Sequence, residues 1–513
     1  MKMKKLLSAV ISTALVITTL VMPITAKAAE YNGYTYTVKT DGTARIDNYT
    51  GNEAEVIIPS EISDGENTYT VTEIYNSAFS NGNAQTTNIV SITIPDTVTA
   101  IGQHAFAACP RLETVNMGKN VTTIGERAFA DNSLVKNIEI PTGVTVIEGQ
   151  TFDNCPSLES IVIPDTVITI SANAFRLCSS IKSINIPDSV ATIGSSAFQN
   201  CTLLESITIP SGVTEISNNT FNGCTSLESV TIPDTVTEIG TGAFRECTSI
   251  TSITLPENLA NLGQRSFSGT SLTSIEIPDS VTTMGASVFQ GCSELESVTI
   301  GNGITSISNN VFKDCTSLAS VEVPDTVTTI GSRVFQNCTS LESVEISDGV
   351  TSIGANAFNG CTNLESVSIP ASVESVATDA FTNCEKAVIC YNGDDNTVIE
   401  NLTASNPKEV VTSSVVNNID SESGSESNGP AVARDMGDGG ATGFVSNLLA
   451  NKVIGENDVI NKITWTVTTS DKVKKTFEKN FDEPQTISSA GTYLTFIISG
   501  LYDAGASIMM RIN

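Results

Sequence analysis

Between Leu158 and Cys178 the chain reads LESIVIPDTVITISANAFRLC, and this stretch returns along the sequence with a 23-residue period. Aligned on its phenylalanine, the register runs through Phe106, Phe129, Phe152, Phe175, Phe198, Phe221, Phe244 and Phe267. Phe289 follows after 22 residues, and Phe312, Phe335, Phe358 and Phe381 resume the period of 23. Phe79 lies 27 residues before Phe106, with the extra sequence between Gly82 and Thr87. Each recurring apolar slot has a packing reason. Side chains of an extended segment alternate between faces, so Ile161 and Ile163 both point inward. Pro164 cannot donate to a ladder and ends the strand. Val167 and Ile170 offer a second short extended segment on the opposite wall. Ala174 and Phe175 begin a short helical or irregular turn whose ring fills the middle of the coil.

A fixed period between 20 and 29 residues with an LxxLxL core is the signature of a leucine-rich repeat coil. Such an array needs no single growing core, because each coil packs only on its neighbours. The segments VTEIGTGAFRECTSITSITLP (Val236 to Pro256) and VTSIGANAFNGCTNLESVSIP (Val350 to Pro370) resemble the BspA-like, or treponemal-type, leucine-rich repeats of bacterial surface and secreted proteins. The resemblance covers roughly residues 40–390, and Tyr34 to Ile62 is similar to the family's usual N-terminal segment. It implies a solenoid with a parallel sheet on the concave face and short strands, turns or short helices on the other walls. It also implies a role in adhesion to host proteins or to other cells.

The flanking segments complete the expected organisation. Lys2, Lys4 and Lys5 precede an apolar run from Leu6 to Val21, and Ala26-Lys27-Ala28 supplies a small-x-small pattern, so residues 1–28 read as a secretory signal. A retained membrane anchor is the competing reading, but Ser8, Ser12, Thr13, Thr18 and Thr19 interrupt a run already short for ~30 Å of hydrocarbon. Residues 29–71 form an N-terminal cap with the first coil, 72–390 the solenoid, and 391–420 a polar, irregular closing cap. Residues 421–443 are rich in Ser, Gly and acid and read as a flexible linker. From 444 to 513 seven basic residues balance seven acidic ones. There Ile463 to Val467, Tyr493 to Ser499 and Ser507 to Ile512 alternate like strands, and Phe444 to Ala450 reads as a short helix. This suggests a small β-rich C-terminal domain, suited to surface attachment or self-association, with Trp465 in its core.

Charge and residue supply narrow the function. A formal net charge of −30 disfavours nucleic acid and anionic membrane surfaces. His104 is the only histidine, so histidine triads and histidine metal clusters lack material. No HExxH, GxSxG or phosphate-binding glycine loop occurs. The reading is a non-enzymatic, secreted or cell-surface binding or adhesion protein without cofactor or metal, whose partner is an extracellular protein or cell-surface ligand. The alternative is a structural or spacer protein of the cell envelope that only presents its C-terminal module.

Eleven of the twelve cysteines stand three residues after the phenylalanine, as in Cys178, while Asn132 and Thr270 fill that slot in two coils. They read as buried free thiols acting as small hydrophobes, with disulfides (Cys384 and Cys390 foremost) and metal binding as alternatives. After the proline, Asp96, Asp165, Asp188, Asp234, Asp279 and Asp325 recur, as turn residues bonding their own backbone or as a calcium ladder. Every inward slot is thus spoken for by packing. The candidate binding face is the outward side of the concave sheet: Ser274 and Glu276, Ser297 and Thr299, Ser320 and Glu322, Ser343 and Glu345.

Overall fold

The computed structural model describes residues 29–80 and 88–412, together with the backbone of strands Val459–Thr468, Lys474–Thr486 and Ser507–Ile512. Residues 1–28, 421–443 and 444–450 and the segment Tyr493 to Ser499 lie outside the described residues.

From Glu55 to Thr412 the chain winds as a parallel β-solenoid with three walls. The first wall holds the LxxLxL strands, each three or four residues long, such as Ser160–Val162, Ser206–Thr208 and Ser320–Glu322. Within each, the flanking residues are exposed and the middle one turns inward. Pairing is parallel and in register, with Asn137 opposite Ser160 and Ile138 opposite Ile161. The second wall consists of two-residue strands such as Thr169–Ile170 and Thr192–Ile193, also parallel and in register.

The third wall carries the phenylalanines, and here the expected helix or irregular turn is something more regular. Around Phe129 the N–H groups of Arg127, Phe129 and Asp131 donate to the carbonyls of Gly149, Thr151 and Asp153 in the next coil. The intervening Ala128 and Ala130 donate back three residues along the chain, to Gly125 and Arg127. A hydrogen-bonded ladder therefore runs along this wall without extended strands. It requires a left-handed residue on each side of the ring: Asn173 (φ +56°) and Leu177 (φ +63°) around Phe175, Asn219 (+55°) and Gly223 (+77°) around Phe221. A non-glycine residue in that region costs roughly 1 kcal/mol or more. Exposed Arg265 pays this at φ +56°. Arg265→Gly is expected to raise the unfolding free energy by about 0.5–1 kcal/mol, measured by denaturant titration; no gain would show the strain is relieved elsewhere.

Inside, fourteen phenylalanine rings form one column from Phe79 to Phe381, all fully buried, with neighbouring centroids 4.7–5.8 Å apart. Interplanar angles of 3–26° make it an offset stack along the solenoid axis. The N-terminal cap continues the column. Its strands β1 (Ala29–Tyr31), β2 (Tyr34–Val38) and β3 (Ala44–Tyr49) form an antiparallel meander. Tyr49 stacks on Phe79 at 5.1 Å, and Tyr34 packs on Tyr49 at 4.9 Å.

The cysteine slot is a donor position as well as a small one. Cys178 Sγ donates to the carbonyl of Phe152 in the preceding coil at 3.1 Å, and Cys201, Cys224, Cys247, Cys315, Cys338, Cys361 and Cys384 repeat the contact. Asn132 fills the slot with the same chemistry, its amide reaching the Phe106 carbonyl at 3.0 Å, while the Thr270 hydroxyl bonds the carbonyl of Phe267 at 2.9 Å. All twelve thiols are free, including Cys384 and Cys390. The first sits inside its coil and the second on strand Val388–Tyr391, so the foremost disulfide candidate is not formed.

The closing segment is more ordered than its polarity suggests. Helix α1 (Asn396–Ala404) is capped by Asp395, which accepts from the N–H groups of Thr397 and Val398. Val398 and Leu402 bury its inner face, and strand Glu409–Thr412 adds a further rung to the first wall. In the C-terminal region Val459–Thr468 pairs antiparallel with both Lys474–Thr486 and Ser507–Ile512. The first and last of these contain expected strands; the middle one was not anticipated.

Candidate binding face

The first wall places side chains by register alone. Because coils repeat in step, like stacks on like: Ser274 pairs with Ser297, Ser297 with Ser320, and Ser320 with Ser343. In the second outward column Glu276 lies opposite Thr299, and Glu322 opposite Glu345. All eight candidate residues therefore share one face, exposed except for half-buried Ser343. Neighbouring Glu322 and Glu345, one rung apart, repel by only ~1 kcal/mol in water.

A third outward column completes this face. The residue before each serine also points to solvent, and from the middle of the array onward it includes Glu205, Glu228, Glu296, Glu342 and Glu365. The recurring Leu-Glu-Ser triplet already carried this signal. From Glu205 to Ser368 the three columns hold no lysine or arginine, whereas Lys136 and Lys182 occupy the third column earlier in the array. No aromatic residue lies in them either. The face is thus polar, acidic towards its C-terminal end, and flat.

It is not uniform. Strand pairing thins to a single bridge at Ser183 and fails at Ser252–Leu255, between Ser229–Thr231 and Ser274–Glu276. Among the described residues no backbone hydrogen bond reaches Ser252, Ile253, Thr254 or Leu255. The other walls stay closed there: Glu238, Asn261 and Thr283 remain in register, and the Phe244 and Phe267 rings are 5.3 Å apart. The coil is therefore splayed on one wall only. Beside it lies the one-residue deletion, which brings Leu272 two residues after Thr270 where three is the rule. The opening forms a depression of about 530 Å³ on the candidate face.

Other singled-out residues lie elsewhere. His104 is half-buried at φ +56° in a turn of the phenylalanine wall. Two post-proline aspartates do not bond their own turns. Asp96 accepts from the N–H of Lys119, and Asp279 from that of Asn302, one coil on. In those next coils Gly118 and Gly301 replace the proline, and a Cβ on Gly118 would lie 2.3 Å from the Pro95 carbonyl oxygen. Glycine lets the coils approach closely enough for the contact. Among the described residues no group of three or more His, Cys, Asp or Glu side chains is arranged to hold a metal ion. No described helix is long and apolar enough to cross a membrane.

Fold and face together define a leucine-rich repeat protein. The BspA type leucine rich repeat region matches residues 60–182, 168–296 and 288–410, in six copies, and the chain belongs to that family. Among solved structures it is similar to a leucine-rich repeat protein from Bacteroides ovatus: 30% identity, 73% of this chain and 97% of that one, TM-score 0.59. A leucine rich cell surface protein from Faecalibacterium prausnitzii matches at 26% identity over 74% of this chain and 97% of that one, TM-score 0.41. The T. pallidum leucine rich repeat protein matches at 28% identity over 44% and 91%, TM-score 0.32. No curated protein matches the chain.

Proposed function

We propose that this is a secreted or cell-surface protein that binds an extracellular protein or cell-surface ligand through the outward face of its first wall. The observation that carries this reading is the division of labour along each strand. Inward positions are consumed by packing, while three solvent-facing columns run in register over many coils. Such a surface, flat and without aromatic anchors, favours many weak contacts over one tight one. The apolar run at residues 6–21 supports export. Residues 444–513 would serve attachment or self-association.

The test uses the repeat itself. Excising 297–365 removes three whole coils and joins Glu296 to Ser366, preserving register. This variant is expected to lose capture of cells or matrix proteins, while a chain lacking 444–513 retains it when immobilised. If the excised variant captures as well as the intact chain and truncation abolishes capture, the solenoid is a spacer that presents its C-terminal part.

A further inference from the structure

The opening at Ser252–Leu255 joins several features at one place on the face. Its volume, about 530 Å³, falls in the ~300–1,000 Å³ range of ligand sites. Three successive coils contribute carboxylates to its lining, Glu228, Glu276 and, beyond the proline, Glu257, all exposed. No basic residue lines it. Val230 and Ile253, whose counterparts in most coils are buried, are only half-buried here. The backbone carbonyls of Ser252–Leu255, which elsewhere serve the ladder, have no partner among the described residues.

We propose that this opening takes a lysine or arginine side chain presented by an extended, basic segment of a partner protein. The cationic head meets the three carboxylates and the unpaired carbonyl oxygens, which only accept hydrogen bonds, while lysine and arginine heads only donate them. The methylene stem lies along Val230 and Ile253, as long basic side chains do on apolar surface. Charge complementarity selects this occupant: an acidic guest would face three like charges in a chain of formal net charge −30. The proposal rests on the reading of the solenoid as a contact surface and assigns that surface a specific centre.

The experiment uses the full chain and a fluorescently labelled hexapeptide carrying two lysines, with a norleucine-substituted counterpart as control. The lysine peptide is expected to bind and the norleucine peptide not. E228Q/E257Q/E276Q should weaken binding at least about tenfold. E215Q/E238Q/E374Q, the same charge change on exposed residues of the second wall, should weaken it less than about threefold. Circular dichroism spectra identical to that of the unmodified chain keep folding out of the comparison. Equal losses in the two triple variants would mean diffuse attraction and overturn the site, as would equal binding of the two peptides. The broader reading fails differently. If E228Q/E257Q/E276Q loses the peptide but excision of 297–365 leaves cell capture intact, the site stands and the extended contact surface does not. If excision abolishes capture while the lysine peptide never binds, the site alone falls.

Discussion

Raising the pH from 9 towards 12 is expected to unfold the solenoid steeply, well before a protein of its composition with exposed thiols would yield. The cause is the cysteine column. Burial pushes Cys109, Cys155, Cys224 and Cys338 up to about 12 from the ordinary thiol value of 9.0, and pushes Cys178, Cys201, Cys247 and Cys315 well above it. The sign follows from where the proton is held. Folded thiols stay protonated while unfolded ones ionise, so the contribution is whole below pH 9 and disappears as pH rises through the folded-state values. Each buried thiol takes away up to about 1.4 kcal/mol per pH unit in that window. Several thiols share any block of coils that unfolds together, and their slopes add. Replacing Cys155, Cys178, Cys201, Cys224 and Cys247 with alanine should lower stability at pH 7 yet flatten its decline above pH 9. Denaturant midpoints across pH 7 to 11 measure both, and an unchanged slope in the alanine variant would assign the alkaline loss to other groups.

Phe221→Ala is expected to be the most damaging single change. The ring is fully buried and lies between Phe198 at 5.6 Å and Phe244 at 5.4 Å. Truncating a core phenylalanine costs about 3–5 kcal/mol, and here two ring contacts vanish at once. Because coils touch only their neighbours, the damage stays local and divides the array. Calorimetry should show a lowered transition that separates into two, and proteolysis should cut near the altered coil. A shift equivalent to less than about 1 kcal/mol would mean that adjacent rings close the gap.

The phenylalanine register, the inward slots and the outward serine column were legible because each rests on a period, and periods survive without coordinates. Chemistry inside a slot was harder. The cysteine position read as small and apolar, although Asn132 and Thr270 both bring donors to it and so marked the hydrogen bond to a phenylalanine carbonyl. The left-handed turns also left a trace in Asn173, Asn219 and Gly223, residue types that tolerate positive φ. Leu177 and Arg265 in equivalent positions diluted it. Helix α1 was hidden because Val398 and Leu402 are few among polar neighbours, though Asp395 is a ready cap. The splayed coil could not be read directly. Ile250, Ile253 and Leu255 obey the repeat, and only the missing residue after Thr270 betrays a disturbance whose seat is a wall away.

That splayed coil also bears on how the molecule responds to force. Pulled along its axis, the array leans on its ladders unevenly: the first wall is interrupted between Val162 and Ser183 and at Ser252–Leu255, the second between Ile124 and Val146, between Ile193 and Glu215 and between Met284 and Ser306. The interruptions are staggered, so that each falls where the other strand wall is still paired, and strain is shared among several joints. Under tension the solenoid would extend as a series of short stiff blocks, the splayed coil being one joint among them.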